Sequence, residues 1–145
     1  MKYQLVNKEK AILSLNKGEY INKSIKDLFE SERLGFGWVS GIGAIYNIEI
    51  GYYDLKKKEY FKKKYTKEHE LVSLMGNVSF LDSDYFVHTH IVISDEDCNS
   101  FGGHLFDAQI AVTGEFKIDL ADFRVERKYS SEIGLNLWCL DNGNN

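Results

Sequence analysis

The sequence contains no proline and only two cysteines in 145 residues. About seven prolines would be expected at an average usage of about 5%. Their absence excludes a proline-rich linker and a slow folding step at a prolyl bond. Cys98 and Cys139 cannot form a disulfide framework, and we expect both to be free thiols in a reducing compartment.

Long apolar runs are also missing. No stretch approaches the roughly 18–20 apolar residues that a transmembrane helix needs. Residues 1–10 have no apolar signal-peptide core, so we expect a cytoplasmic protein without a membrane partner.

What is present is enough for one globular domain. Hydrophobic residues make up 43% of the chain and aromatic residues 14%. A chain of this length is of ordinary single-domain size, and a linker or repeat is not evident. We therefore predict one domain over residues 1–145, with its core at about 3–138 and a flexible polar tail at 141–145.

Apolar periodicity predicts one helix at residues 21–34. Ile21, Ile25, Leu28 and Phe29 fall at i, i+4, i+7 and i+8, which places them on one helical face. Asn22 is a candidate N-cap and Gly35 suits the position just after the helix. This segment must gain most of its stability by docking its apolar stripe on other elements.

Alternation of apolar and polar residues predicts many strands. The clearest are residues 46–52 and 109–118, where side chains alternate with a period of two. The further candidate strands are 3–6, 11–15, 60–65, 71–78, 85–94, 123–126 and 135–139. One helix among many strands predicts an α+β domain whose sheet is mostly antiparallel.

The net charge of −4 conceals a basic segment. Residues 56–67 contain seven lysines and one glutamate, so this segment carries +6 and the rest of the chain −10. Lys62, Lys63 and Lys64 are interleaved with aromatic residues, a composition found on nucleic-acid-binding surfaces. The alternative is a solvated hairpin whose lysines protect a sheet edge against aggregation, and this interpretation is favoured because the whole chain is acidic.

Three histidines form the strongest candidate site. His88 and His90 are two residues apart in a predicted strand, so both imidazoles face the same side of the sheet. His104 follows a polar loop and a Gly-Gly pair that permits a close return of the chain. Three histidines with one coordination position left open suit zinc. The alternative is that they are ordinary half-exposed strand histidines; His69 lies outside the pattern and is interpreted as a surface residue.

Other chemical motifs are missing or weak. The sequence has no GxSxG nucleophile elbow and no phosphate-binding P-loop. The glycine pairs in residues 35–37 and 41–43 lack GxGxxG spacing, and we interpret them as a strand entry or a bulge. The acidic residues 95–97 are interpreted as part of a solvated loop at 95–103.

Several of these elements together resemble the plant and prokaryote conserved (PPC) domain in its stand-alone prokaryotic form. The matching residues occur in the family's order from about Tyr3 to Trp138. They are Gly18-Glu19, SGIGAI at 40–45, ELVSLMGNVS at 70–79, HTHIVISD at 88–95 and GGHL at 102–105.

The resemblance implies a homotrimer of α+β domains with zinc bound by His88, His90 and His104. Plant relatives join this domain to AT-hook segments that bind DNA, whereas this chain has no Arg-Gly-Arg-Pro core. The leading functional hypothesis is therefore a trimeric DNA-binding or transcription-associated protein with a three-histidine zinc site.

A metal-dependent enzyme or a sensor of an unidentified small ligand is the alternative. It would use the open position on the zinc, but only Asp107 and Glu115 lie near His104 in sequence as candidate bases. Neither forms a convincing catalytic arrangement with the histidines, and this favours a binding protein over an enzyme.

Overall fold

The computed structural model describes residues 1–140, which form nine strands and one helix. The predicted flexible tail lies outside the described residues. In chain order the elements are β1 (Lys2–Asn7), β2 (Lys10–Asn16), α1 (Ile21–Glu32), β3 (Phe36–Asp54), β4 (Glu59–Tyr65), β5 (His69–Leu81), β6 (Asp84–Ser94), β7 (Ser100–Ala121), β8 (Glu126–Ser130) and β9 (Leu135–Cys139).

The strands form one sheet that closes on itself at its centre. Its main path runs β1-β2-β7-β3-β5-β8-β9, while β4 pairs with β3 and β6 pairs with both β5 and β7. The pairings β3–β5, β5–β6, β6–β7 and β7–β3 therefore make a ring. All of these pairings are antiparallel, and only the single β5–β8 contact is parallel. The predicted α+β fold with a mostly antiparallel sheet is confirmed.

Two strands are much longer than their alternation predicted. β3 has 19 residues and β7 has 22. Register shifts near Gly41 and Gly43 let β3 bend while it stays paired with β5 and β7, which confirms the predicted bulge. Such bends interrupt the strict period of two, and this is why sequence patterning underestimated both strands.

The core lies inside the ring and under α1. Ile21, Ile25, Leu28 and Phe29 have no exposed surface, so the helix docks through the predicted apolar stripe. The two strands nearest to it are β6 and β7. Helix docking thus ties together the two strands that carry the histidines.

The predicted helix start at residue 21 is confirmed, but the predicted N-cap residue and the predicted end need correction. The N-cap is Tyr20, without a side-chain hydrogen bond, and Asn22 already lies in the first turn. The helix ends at Glu32 rather than at residue 34, because Arg33 takes the left-handed conformation (φ 52°) expected for glycine. Gly35 has another role, since a Cβ there would lie 2.7 Å from the carbonyl oxygens of Ala121 and Phe123.

Two predicted boundaries were also wrong. The strand predicted at 123–126 begins only at Glu126, and Phe123 instead stacks on Phe36 with ring centroids 5.4 Å apart. The loop predicted at 95–103 ends earlier, because β7 begins at Ser100 and pairs with the end of β6. Cross-strand pairing with β6 overrode the local polarity of residues 100–103.

Both cysteines are free thiols, as predicted. Cys98 is exposed and Cys139 half-buried, and neither forms a disulfide within residues 1–140. The helix found in the same range is too short and too polar to cross a lipid bilayer.

Candidate metal centre

The three predicted histidines come together on neighbouring strands. His88 and His90 lie on β6, and His104 on β7 is the direct register partner of His90. All three side chains point away from the core, because the alternate residues Thr89 and Leu105 point inward and are buried. The Gly102-Gly103 pair stands at the close approach of these strands, where a Cβ on Gly102 would overlap the Ile91 carbonyl oxygen.

The imidazoles form a triangle with nitrogen atoms at its centre. Ring centroids are 5.2 Å apart for His88–His90, 5.2 Å for His88–His104 and 5.3 Å for His90–His104. One nitrogen from each ring lies within 4.8 Å of the others. The two Nε2 atoms of His88 and His90 are 3.3 Å apart. This spacing allows all three nitrogens to reach one metal ion.

The environment keeps these rings uncharged. Burial, followed by the positive charges of Arg127 and His90, lowers the pKa of His88 to about 4. Burial, followed by His88, His90 and Lys62, lowers the pKa of His104 to about 4. Burial alone lowers the pKa of His90. Neutral imidazoles at physiological pH are the form that binds metals.

One ring of the cluster has a buried nitrogen without a hydrogen-bond partner in the described part of the chain. Nδ1 of His104 is buried and has no hydrogen-bond partner within residues 1–140. A buried polar nitrogen without a partner costs free energy, which a ligand or a water molecule would recover. Three neutral nitrogen donors around one point fit a divalent transition metal such as zinc.

Behind the histidine strands, an amide holds the helix in place. The Asn22 Nδ2 group donates to the carbonyl oxygens of Leu105 and Phe106, at 3.1 Å each. Its Oδ1 accepts a hydrogen bond of 2.7 Å from the fully buried Thr89 hydroxyl. Asn22 therefore links α1 to both histidine strands instead of capping the helix.

The carboxylate at the helix N-terminus comes from a distant part of the sequence. Oδ1 of Asp107 accepts from the backbone N–H groups of Asn22 (3.0 Å) and Ala108 (2.8 Å). This satisfies one free N–H group of the first helical turn. Burial nevertheless raises the pKa of Asp107, although these hydrogen bonds oppose the rise.

Arg127 is a site residue that sequence reasoning missed. It lies on β8, is buried, and places Nη2 3.4 Å from Nδ1 of His88. Its guanidinium donates hydrogen bonds to Ser79 Oγ (2.8 Å), Asn136 O (2.9 Å) and Asn77 Oδ1 (3.1 Å). A lone arginine in a polar segment has no local pattern that could have indicated this contact.

A cleft of about 630 Å³ opens beside His88 and His104. The β3–β4 and β8–β9 hairpins meet at one side of it, where Tyr53 Oη donates to the Ile133 carbonyl oxygen at 2.7 Å. The cleft is lined by side chains of both charge types and by apolar groups. The lining includes Lys23, Lys26, Tyr60, Phe86, Phe106, Asp107, Arg127, Leu135 and Leu137.

The candidate lysines do not form one basic face. Lys62 and Lys64 both pair with Glu49, at 3.1 and 3.5 Å, and the Lys62 ammonium lies 3.7 Å from the Phe106 ring centroid. Lys63 lies between them on the strand and so points to the other side, where it covers the Tyr65 ring.

Two other residues singled out from the sequence lie away from the histidines. Glu115 pairs with Ile42 and Ser14 in a different region of the sheet. His69, predicted to be a surface residue, is half-buried and packs against Tyr65 and Phe101.

Comparisons with known proteins agree with this architecture. Residues 5–122 match the model of the Plants and Prokaryotes Conserved (PCC) domain. A metal-containing protein from Archaeoglobus fulgidus is 33% identical, with a TM-score of 0.84 over 96% of this chain and 97% of its own. A plant- and prokaryote-conserved protein from Pyrococcus horikoshii is 33% identical, with a TM-score of 0.85 over 97% and 96%.

A candidate DNA-binding protein from Bacteroides thetaiotaomicron is 28% identical, with a TM-score of 0.91 over 95% of this chain and 96% of its own. A comparison with curated proteins finds no match. The predicted family is confirmed by the match over most of the chain and by these structural likenesses: this chain belongs to the Plants and Prokaryotes Conserved domain family.

Proposed function

We propose that this protein is a zinc-binding domain in which His88, His90 and His104 hold one ion. The observation that carries the proposal is the convergence of three neutral imidazole nitrogens within 4.8 Å of one another. The related metal-containing protein from Archaeoglobus fulgidus supports it. When bound, zinc at a three-histidine set supplies a Lewis acid with an open coordination position.

Metal analysis of the purified protein tests this proposal. We expect close to one zinc per chain in the wild type and its loss in His88→Ala, His90→Ala and His104→Ala. His69→Ala is the matched control, because this fourth histidine lies outside the cluster. Zinc contents that are equal in all five proteins would refute the three-histidine site.

We also propose that the domain works as a homotrimer through the outer face of the sheet. Residues joined by direct strand pairing share a face, so Ile12, Ile42, Met75 and Val92 lie on the same side as the histidines. Each of these four side chains is 42–58% exposed. Association with further copies would remove this apolar surface from water.

Sedimentation or light scattering measures the assembly directly. We expect a mass of three chains for the wild type and a smaller mass for the Ile42→Lys/Met75→Lys double variant. Leu55→Lys is the control, because Leu55 is 65% exposed in the β3–β4 turn, away from this face. A wild-type protein that sediments as a single chain would exclude the trimer.

DNA binding is the second candidate function, supported by the related candidate DNA-binding protein and by the basic β4 strand. Lys62 and Lys64 are partly neutralised by Glu49, so the attraction would come from all seven lysines of residues 56–67. We expect retardation of A·T-rich DNA at low salt, weakened by Lys63→Gln. No retardation at low salt would exclude this function.

The placement of the two candidate bases, Asp107 and Glu115, favours a binding role over catalysis. Asp107 accepts backbone hydrogen bonds at the start of α1, and Glu115 lies in another region of the sheet. Glu115 is therefore too far along the sheet to act at the histidine cluster, and Asp107 uses its Oδ1 to accept backbone hydrogen bonds. The cleft beside the cluster is therefore best explained as a ligand-binding site.

A further inference from the structure

The cleft contains a buried positive charge that the histidines do not explain. Arg127 is only 8% exposed, and its guanidinium donates to three neutral oxygens, on Ser79, Asn136 and Asn77. Within residues 1–140, no carboxylate oxygen lies within the 4.0 Å salt-bridge distance of this group. A buried cation without a counter-ion costs free energy, because burial removes its hydration.

The other charged groups of the cleft already have partners. Lys23 pairs with Asp27 at 2.5 Å, and Lys26 pairs with Asp84 at 2.7 Å. Asp107 is the one carboxylate among the described residues that line the cleft, and its Oδ1 accepts from backbone N–H groups. Arg127 is thus the cation that is left for an incoming anion.

The contact between Arg127 and His88 also indicates that an anionic acceptor is missing. If Nε2 of His88 binds the metal, the ring proton resides on Nδ1, which then requires an acceptor. The neighbour at 3.4 Å is Nη2 of Arg127, and a guanidinium can only donate. Both groups would be satisfied by an anionic oxygen, and the charge of a bound metal would attract the anion further.

The walls of the cleft are largely apolar. Phe86 and Phe106 line it from the histidine strands, and Leu135 and Leu137 line it from β9. The volume of about 630 Å³ is far larger than a bare inorganic anion needs, and is typical of sites for small organic molecules. The ligand should therefore combine one acidic group with an apolar body.

We infer that this cleft binds a small organic carboxylate, whose acid group pairs with Arg127 while its apolar body packs against Phe86, Phe106 and β9. Three of the five guanidinium N–H groups already donate to protein oxygens, and the two that remain, one on Nη1 and one on Nη2, are left for the carboxylate oxygens. The inference deepens the proposed metal centre and rests on it for the added attraction of the zinc ion.

Calorimetric titration tests the inference with phenylacetate as the probe. We expect saturable binding to the zinc-containing protein and roughly tenfold or greater weakening for neutral phenylacetamide, because the charge-assisted hydrogen bond is lost. Acetate should also bind more weakly, since it lacks the apolar body. Inorganic phosphate that binds as tightly as phenylacetate, or phenylacetamide that matches it, would overturn the inference.

Variants locate the acid group. Arg127→Gln should weaken phenylacetate roughly tenfold or more, and Arg127→Lys should weaken it less, because it keeps the charge but loses the fork. Lys128→Gln is the matched control, since it removes a neighbouring exposed charge on β8. Unchanged affinity in a folded Arg127→Gln protein would refute the assignment; if that variant does not fold, the comparison of phenylacetate with phenylacetamide on the wild type still decides.

Different measurements refute the proposed metal centre and the proposed carboxylate site. Zinc content is determined first, and a wild type that takes up no zinc refutes the metal centre. Phenylacetate titration of the same preparation then decides the cleft by itself. A protein with full zinc that binds no phenylacetate at millimolar concentration refutes only the carboxylate site.

Discussion

Replacing Asn22 by alanine distinguishes the network role of this residue from helix capping. The structure places its amide in three hydrogen bonds, to the carbonyl oxygens of Leu105 and Phe106 and to the hydroxyl of Thr89. Thr89 has no exposed surface, so solvent cannot replace its lost partner without a rearrangement. At about 1 kcal/mol for each bond, Asn22→Ala should reduce the free energy of unfolding by about 3 kcal/mol.

Thermal and urea unfolding at a fixed protein concentration measure this change. For a chain of 145 residues, about 3 kcal/mol corresponds to a fall in Tm of roughly 6–12 °C. Lys23→Ala is the control, because this neighbour is exposed and its one ion pair within residues 1–140 is with Asp27; it should change stability by less than about 0.5 kcal/mol. The concentration is fixed because dissociation of an oligomer would also affect Tm.

Asn22→Ser provides the decisive comparison. Serine is as good an N-cap as asparagine, so a capping role would leave this variant close to wild type. The network role predicts that serine does not rescue stability, because its short side chain cannot reach the strands on both sides. The reasoning is refuted if Asn22→Ala costs less than about 1 kcal/mol or if Asn22→Ser restores the wild-type value.

Three further predictions concern the metal, the strand contact and the buried acid. Removing zinc with a chelator should lower Tm, because the ion stabilises only the folded state. The loss is equivalent to about 2.7 kcal/mol if the free zinc concentration was about 100 times its Kd. A Tm that the chelator leaves unchanged in a zinc-containing protein would contradict this. Gly102→Ala should cost about 1–3 kcal/mol in urea unfolding and lower the zinc content, because its Cβ would overlap the Ile91 carbonyl oxygen beside the His90–His104 pair. Burial raises the pKa of Asp107 above its unfolded value, so its contribution to stability is greatest below the unfolded pKa and declines as pH rises through the folded pKa. Asp107→Asn should therefore gain stability relative to wild type as pH rises from 4 to 7. Urea unfolding at several pH values measures this, and a difference in free energy of unfolding that does not change with pH would refute the interpretation.

Patterns that depend on neighbouring residues could be read directly from the sequence. The apolar stripe of α1 and the alternation in most strands follow from local geometry, so the α+β class was predictable. His88 and His90 share a face because a strand has a period of two. The polar loop and the Gly102-Gly103 pair predicted that His104 returns to the same place, and in the structure His104 is the register partner of His90.

Other features depend on contacts between segments that are far apart in the chain. Arg127 reaches His88 only because β8 meets the end of β5 at a single residue pair, Phe80–Glu126. Asn22 resembles a helix cap locally, but the packing of α1 on β6 and β7 gives its side chain partners 67 and more residues away. Periodicity and spacing determined the three histidines and the fold class of this protein. Only the tertiary structure decided which buried charge faces them and how the cleft is built, because burial and long-range hydrogen bonds have no local sequence signature.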